Sequence, residues 1–288
     1  MTEKKSVTRR SLIAAIGTAG VAAPLGSVLQ RNAKAQTAAS APAKAFALLG
    51  DESHNPDMQR TAFQSTLVQD AGLPIDFSDE EKLLSYEMLQ RYKILIIFRN
   101  GTRHPGGYSH LTGNRVSVPT LQKTLNGAFV ATITDEQCQA IKRWVQEGGS
   151  LWAWHNNSRL SLMRKDYRDV QGATIIGHPP SRPYKVKIIN QDHPITKGVK
   201  DFVITDEQHF LVYEKDPKYV LAMSVNEDGL TYRDRDGKQS NTCESVWAYD
   251  YGKGRVCMTA PGHDLFALWN PEFEKMQKNA VKWLLRET

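Results

Sequence analysis

Thr134-Asp-Glu-Gln-Cys-Gln-Ala-Ile-Lys-Arg-Trp-Val-Gln-Glu-Gly-Gly-Ser-Leu-Trp-Ala-Trp-His155 carries a helix, a stop, a strand and a titratable side chain in succession. Thr134 followed three residues later by Gln137 forms a capping box, which starts a helix. Ile141, Trp144 and Val145 then share one face of that helix. Gly148-Gly149 ends it, and Ser150 to Trp154 is a short apolar run of strand length. His155 stands at the carboxyl end of that strand, where an α/β sheet displays functional groups.

The same alternation extends outward in both directions. Ala45 to Leu49 reads as an apolar strand, Asn55-Pro56 opens a helix carrying Ala62, Phe63 and Leu67, and Lys93 to Phe98 is another continuous apolar run. Uninterrupted apolar strands fit a parallel sheet covered on both faces. The C-terminal half is more antiparallel in pattern: Lys185 to Ile189 alternates, Tyr219 to Val225 follows, and Val246 to Tyr251 and Arg255 to Thr259 form a hairpin around Gly252-Lys253-Gly254. A last helix opens at Asn270-Pro271 and aligns Phe273, Met276, Ala280, Trp283 and Leu284. The expected fold is therefore an α/β three-layer sandwich, flavodoxin-like, with a mostly parallel central sheet and antiparallel additions in the C-terminal half.

Residues 1–35 read as a twin-arginine signal peptide. Lys4, Lys5 and the Arg9-Arg10 pair precede an apolar run from Leu12 to Leu29, and Ala33-Lys34-Ala35 offers a small-x-small cleavage site. Pro24 and three glycines make that run too weakly apolar for a spanning helix, so no membrane association is expected after cleavage. Residues 36–44 form a small-residue linker, and 45–288 are expected to be a single domain in a periplasmic or secreted protein.

The chain of 288 residues has a formal net charge of +6. Removing the signal takes away six basic residues and one acidic residue, leaving 31 and 30, a net charge of +1. The mature part has no basic block, so no nucleic-acid partner is expected. Cys138, Cys243 and Cys257 form no CxxC pair, which argues against a thiolate zinc site, although one disulfide is compatible with the compartment. No G-x-S-x-G or G-x-C-x-G elbow occurs, which argues against an acyl-enzyme mechanism.

Polar residues that follow apolar strands converge, under this topology, on one sheet edge. They are Asp51, Glu52 and His54, then Arg99 and His104, then His155, then His263-Asp264. Histidine both moves protons near neutral pH and binds divalent metals, so the cluster has two uses. Thr205-Asp206-Glu207-Gln208-His209 precedes an apolar run, either as a solvated loop or as the source of a carboxylate, Glu207, for the histidines. His178-Pro179 and His193-Pro194 read first as turns.

In this order Gly148 to His155, Gly172 to Pro179, Asp192-His-Pro-Ile-Thr-Lys-Gly198, Thr205 to Glu207, Tyr251-Gly-Lys-Gly-Arg-Val256, Gly262-His-Asp264 and the closing helix to Trp283 resemble the ThuA-like family, named for trehalose utilisation. The resemblance implies the class I glutamine-amidotransferase-like fold and a role in carbohydrate metabolism. It maps the family's His and acid positions onto His155, His178, Glu207 and His263. His155 stands near where an amidotransferase carries its nucleophilic cysteine, so glutamine hydrolysis is not expected. The chain departs from the family in the loop Gly50 to His54 and in a long stretch from Asn100 to Gly127 containing His104, Tyr108 and His110.

The expectation is an enzyme acting on a sugar or oxidised (keto) sugar derivative. His155, His263 and Glu207 would be acid/base groups or the ligands of a divalent transition metal. His54, Arg99, His104, His178, Asp264 and Trp154 would bind the small-molecule carbohydrate. Trp152, Trp154 and Trp269 would wall the pocket or else pack the core. The rival is a carbohydrate-binding or accessory protein in which the same histidines hydrogen-bond a glycan without turnover.

Overall fold

A computed structural model describes residues 43–103, 130–233 and 238–288. The signal peptide, most of the linker and His104 lie outside the described residues.

The chain order is β1 (Ala45–Leu49), α1 (Pro56–Phe63), β2 (Ile75–Ser78), β3 (Ile94–Phe98), α2 (Asp135–Gln146), β4 (Ser150–Trp154), α3 (Lys165–Gln171), β5 (Ala173–Gly177), β6 (Arg182–Ile188), β7 (Phe202–Asp206), β8 (Phe210–Tyr213), β9 (Val220–Val225), β10 (Thr242–Tyr251), β11 (Gly254–Thr259) and α4 (Pro271–Leu284), with shorter segments between. The central sheet has nine strands in the order β2-β1-β3-β4-β11-β10-β9-β6-β7. Its first five strands are parallel, and from the β11–β10 pairing onward every neighbour is antiparallel. Strands β5 and β8 pair separately as a two-stranded sheet.

Alternate strand residues enter different cores, as a sheet covered on both faces requires. Ala45, Ala47, Leu49, Ile94, Ile96, Phe98, Trp152 and Trp154 pack with α1 and α4 on one side. Phe46, Leu48, Leu95, Ile97, Leu151 and Ala153 pack with α2 and α3 on the other. The helix starts follow local chemistry: Asn55 accepts from the N–H groups of Asp57 and Met58, Thr134 and Gln137 form the capping box, and Asn270 caps α4.

Strand parity places the site. Crossing from β11 through β10, β9 and β6 reverses direction four times, so β7 again runs parallel to β11. The carboxyl ends of β1, β3, β4, β11 and β7 therefore share one edge. No helix of the described residues is long and apolar enough to cross a membrane.

Candidate metal centre

His155 follows β4 with φ +47°, a left-handed conformation that non-glycine residues rarely adopt outside functional turns. Its ring is buried, and Nδ1 lies 2.7 Å from the carbonyl of Ala260. That carbonyl can only accept, so Nδ1 carries the proton and Nε2 presents a lone pair. Gly262 allows the close approach of the two strand ends: with φ +154°, a Cβ there would stand 2.9 Å from the ring of Phe98.

Three other histidines are anchored in the same way. His209 Nδ1 is 3.2 Å from the carbonyl of His155, His54 Nδ1 is 2.7 Å from Asp51 Oδ1, and His178 Nδ1 is 3.0 Å from the carbonyl of Pro179. The Nε2 atoms of His54, His155 and His209 are buried without a hydrogen-bond partner, as is His263 Nδ1. Buried polar atoms left in this state call for a ligand. Around Glu207 Oε2 stand His263 Nδ1 at 3.2 Å, His155 Nε2 at 3.5 Å, His178 Nε2 at 3.6 Å and His209 Nε2 at 3.7 Å.

Two aspartates hold this arrangement from behind. Asp51 accepts from His54 and from the N–H of Ser53 through Oδ1, and from Asn100 N and Asn156 Nδ2 through Oδ2, tying together the ends of β1, β3 and β4. Burial opposes the charge of Asp51, but the His54 bond and its attraction outweigh burial and lower its pKa. Asp206, at the end of β7, accepts from the backbone N–H groups of Gly262 at 2.6 Å, His263 at 2.9 Å and Glu207 at 2.9 Å. It thereby clamps the β11 end, with His263, against the loop that bears Glu207.

Metal ligation needs neutral imidazoles and an ionised carboxylate, and the shifts of His155, His209 and Glu207 run in that direction while that of His263 runs against it. Burial lowers His155 and lowers His209 strongly. Glu207 is held well below the usual carboxylate range, its burial outweighed by the attraction of the His155, His209 and His263 imidazoles that stand 3.2–3.7 Å away. For His263 burial acts downward, but Glu207 and the nearby acids prevail and raise it.

Burial pushes Asp206 up to about 6. The folded protein thus binds a proton at Asp206 that the unfolded chain releases near pH ~3.9. The stability this contributes is complete below pH ~4 and is lost as pH rises through about 6. Asp206→Asn should remove that dependence. The thermal midpoint of the variant relative to the parent, followed from pH 4 to 7, should therefore rise with pH; a flat difference would mean that Asp206 does not titrate there.

Beside the cluster is a cavity of about 310 Å³, lined by Ser53, His54, Asn100, Asn156, Arg159, Ile175, His178, Glu207, His209 and His263. Its volume falls in the range of small-molecule sites, and Ile175 is its one apolar lining residue among those described.

Of the residues singled out in the sequence, His54, His155, His178, Glu207 and His263 meet here. Others stand elsewhere. The guanidinium of Arg99 turns away to pair with Glu81 at 3.0 Å and to donate to the carbonyl of Asp79. Asp264 accepts from Ser181 Oγ at 2.9 Å and is not part of the cavity wall; Asp206 supports His263 through its backbone N–H instead. Trp154 is fully buried against Phe63, Phe98, Trp152 and Phe273, because its strand position faces the core. Trp152 is buried with it, and Trp269 does not line the cavity, so the expected aromatic wall is absent from the described residues. Just after His155, Asn156 donates to Asp51 and Asn157 donates to the carbonyl of Arg99. All three cysteines are buried free thiols outside the cavity, with burial pushing Cys138 up to about 12.

His209, Asp206 and Asn156 were not among the residues assigned to the site from sequence, and Asp51 was placed at this sheet edge without a role. For His209 the signal was its place two residues after Glu207, a spacing that returns a side chain to the same side of an extended chain.

Among solved structures, a ThuA-like protein from Bacteroides uniformis is 18% identical, with 85% of this chain and 93% of that chain covered at a TM-score of 0.58. One from Parabacteroides merdae is 15% identical, covering 86% and 91% at 0.59. A β-galactosidase from Bacillus circulans is 14% identical and covers 91% of this chain but 34% of its own, at 0.54. At such identities these likenesses establish the fold alone. No curated protein matches. A sequence model of the ThuA family, described as trehalose utilisation, matches residues 49–284. With that match over most of its length, this chain belongs to the ThuA family and to a carbohydrate-metabolism context.

Proposed function

We propose that the protein is an exported enzyme that acts on a sugar or oxidised (keto) sugar derivative with the help of a divalent transition metal. The observation that carries this reading is the convergence of His54 Nε2, His155 Nε2, His263 Nδ1 and Glu207, whose ligand atoms all lie within 4.8 Å of one another. Two of the imidazoles are fixed through Nδ1 by an acceptor behind them, the usual support of a metal-binding histidine. Nitrogen and carboxylate donors of this kind suit zinc, iron, nickel or copper rather than calcium or magnesium.

A bound ion would supply Lewis acidity, polarising a sugar carbonyl or lowering the pKa of a water molecule. The chain's own residues do the rest. Asn100, Asn156 and Ser53 offer hydrogen bonds to sugar hydroxyls from the cavity wall, and Arg159 contributes a cationic side chain. His178 is half-exposed beside Glu207 and can exchange a proton with a substrate in the cavity. Thiol-based glutamine hydrolysis is not expected, since none of the three cysteines reaches the cavity.

Export to the periplasm or outside the cell by the twin-arginine route is supported by the Arg9-Arg10 pair, the apolar run and the Ala33-Lys34-Ala35 site of residues 1–35. Elemental analysis of the mature protein, purified from that compartment without chelator, tests the reading. It should find near-stoichiometric transition metal, lost in a His155→Ala, His263→Ala double variant together with turnover. Absence of metal from the parent would overturn the metal reading; a variant that binds sugar more weakly, where the parent shows no turnover to lose, would favour the binding-protein alternative.

A further inference from the structure

We propose that His209 is a positioning residue of the metal centre and not one of its ligands: it holds His155 in its ligating pose, through the His155 backbone carbonyl and through the face of the His155 ring. This rests on the metal reading above and deepens it.

Two observations keep His209 off the ion. The four residues whose donor atoms lie within 4.8 Å of one another are His54, His155, Glu207 and His263, and His209 stands outside that set. Its ring is also stacked on that of His155, with centres 4.0 Å apart and planes inclined by 26°. An imidazole directs its lone pair within its own plane, so an ion in the plane of His155 and within coordination reach lies well out of the plane of His209. The ligating rings are arranged differently. His54, His155 and His263 stand 5.2 to 5.6 Å apart at 55° to 77°, the spread of rings that radiate from one point. His178, Glu207 and His209 also lie close together, but the His178 and His209 rings are again stacked, 5.1 Å apart at 29°, and share no ion either.

What His209 does touch is the backbone of His155. That residue has φ +47°, and a non-glycine residue keeps such a conformation only where its surroundings over-determine it. The ring of His155 is tied through Nδ1 to the carbonyl of Ala260, which fixes the rotation of the ring but not the peptide behind it. His209 Nδ1 donates to the His155 carbonyl at 3.2 Å and fixes that peptide. The donor is itself held in place: His209 is buried and directly precedes β8, whose Phe210 pairs with Gly177 of β5. One side chain thus restrains both the carbonyl and the ring plane of a ligand, the way outer partners orient metal-binding histidines.

The test is a titration of the chelator-stripped, full-length mature protein with cobalt(II) alone, read by visible absorption and by metal content after gel filtration. One equivalent is expected for the parent. His209→Phe keeps a ring stacked on His155 but deletes the donor to the carbonyl, and should bind cobalt about 10–100-fold more weakly. His209→Asn keeps a donor at the position of Nδ1 and deletes Nε2, the atom a ligand would use; it should recover most of that loss and keep the parent's spectrum. Equal losses in the two variants with an altered spectrum would make His209 a ligand and overturn the proposal, as would parent-like binding in both. A reading on the unaltered protein does not depend on either variant folding. Proton NMR of the cobalt-loaded parent should show paramagnetically shifted, exchangeable ring N–H signals from His54, His155 and His263, and such a signal assigned to His209 would overturn the proposal while leaving the metal reading standing. No bound cobalt in the parent would overturn both.

Discussion

Glu207→Ala should leave the purified protein without bound transition metal and without turnover. The loss in metal affinity should exceed about 100-fold, since removing even an outer partner of a metal ligand costs 10–100-fold and Glu207 touches four of the five imidazoles. A second consequence follows from the same contact. His263 is raised only because Glu207 and neighbouring acids outweigh its burial, so without Glu207 its titration midpoint should fall. Metal analysis and a histidine-resolved NMR titration read the two effects separately. Metal content unchanged in Glu207→Ala would remove this carboxylate from the centre.

Trp154→Ala should have the largest effect on folding. The side chain is fully buried and packs against four aromatic neighbours, with ring centres 4.9 to 5.8 Å away. Truncating such a residue costs about 3–5 kcal/mol in lost transfer energy and residual cavity. For a domain of this size, that corresponds to a drop in thermal midpoint on the order of 10 °C. Metal stoichiometry in the folded fraction should be unchanged. The opposite pattern, a loss of sugar binding with stability intact, would return Trp154 to the ligand-facing role that its aromatic character first suggested.

These two residues illustrate how far the sequence could be read. Glu207 was legible as a candidate because a carboxylate and a histidine stand together just before an apolar run. Its position at the centre of five imidazoles was not, because that depends on four strand reversals between β11 and β7. Trp154 was ambiguous for a different reason. A period of two assigns side chains to opposite faces of a strand but does not say whether a face meets solvent, ligand or a helix. In β4 both faces are covered, so the tryptophan next to the site residue His155 belongs to the core. Arg99 shows the same limit: it follows β3, as expected, yet the nearby carboxylate of Glu81 draws it off the site.

What the sequence determined by itself was local and periodic: the capping box at Thr134, the glycine stop, the continuous apolar strands that require covered faces, and hence a largely parallel sheet with titratable groups at its carboxyl edge. Only the tertiary structure decided which groups share a point. It added His209, Asp206 and Asn156, gave Asp51 its supporting role, set aside Arg99, Asp264 and Trp154, and stacked His155 on His209. The physical reason is that helix and strand signals act over a few residues, whereas a coordination site is set to within a fraction of an ångström by strands and loops as much as 209 residues apart in the chain, from His54 to His263.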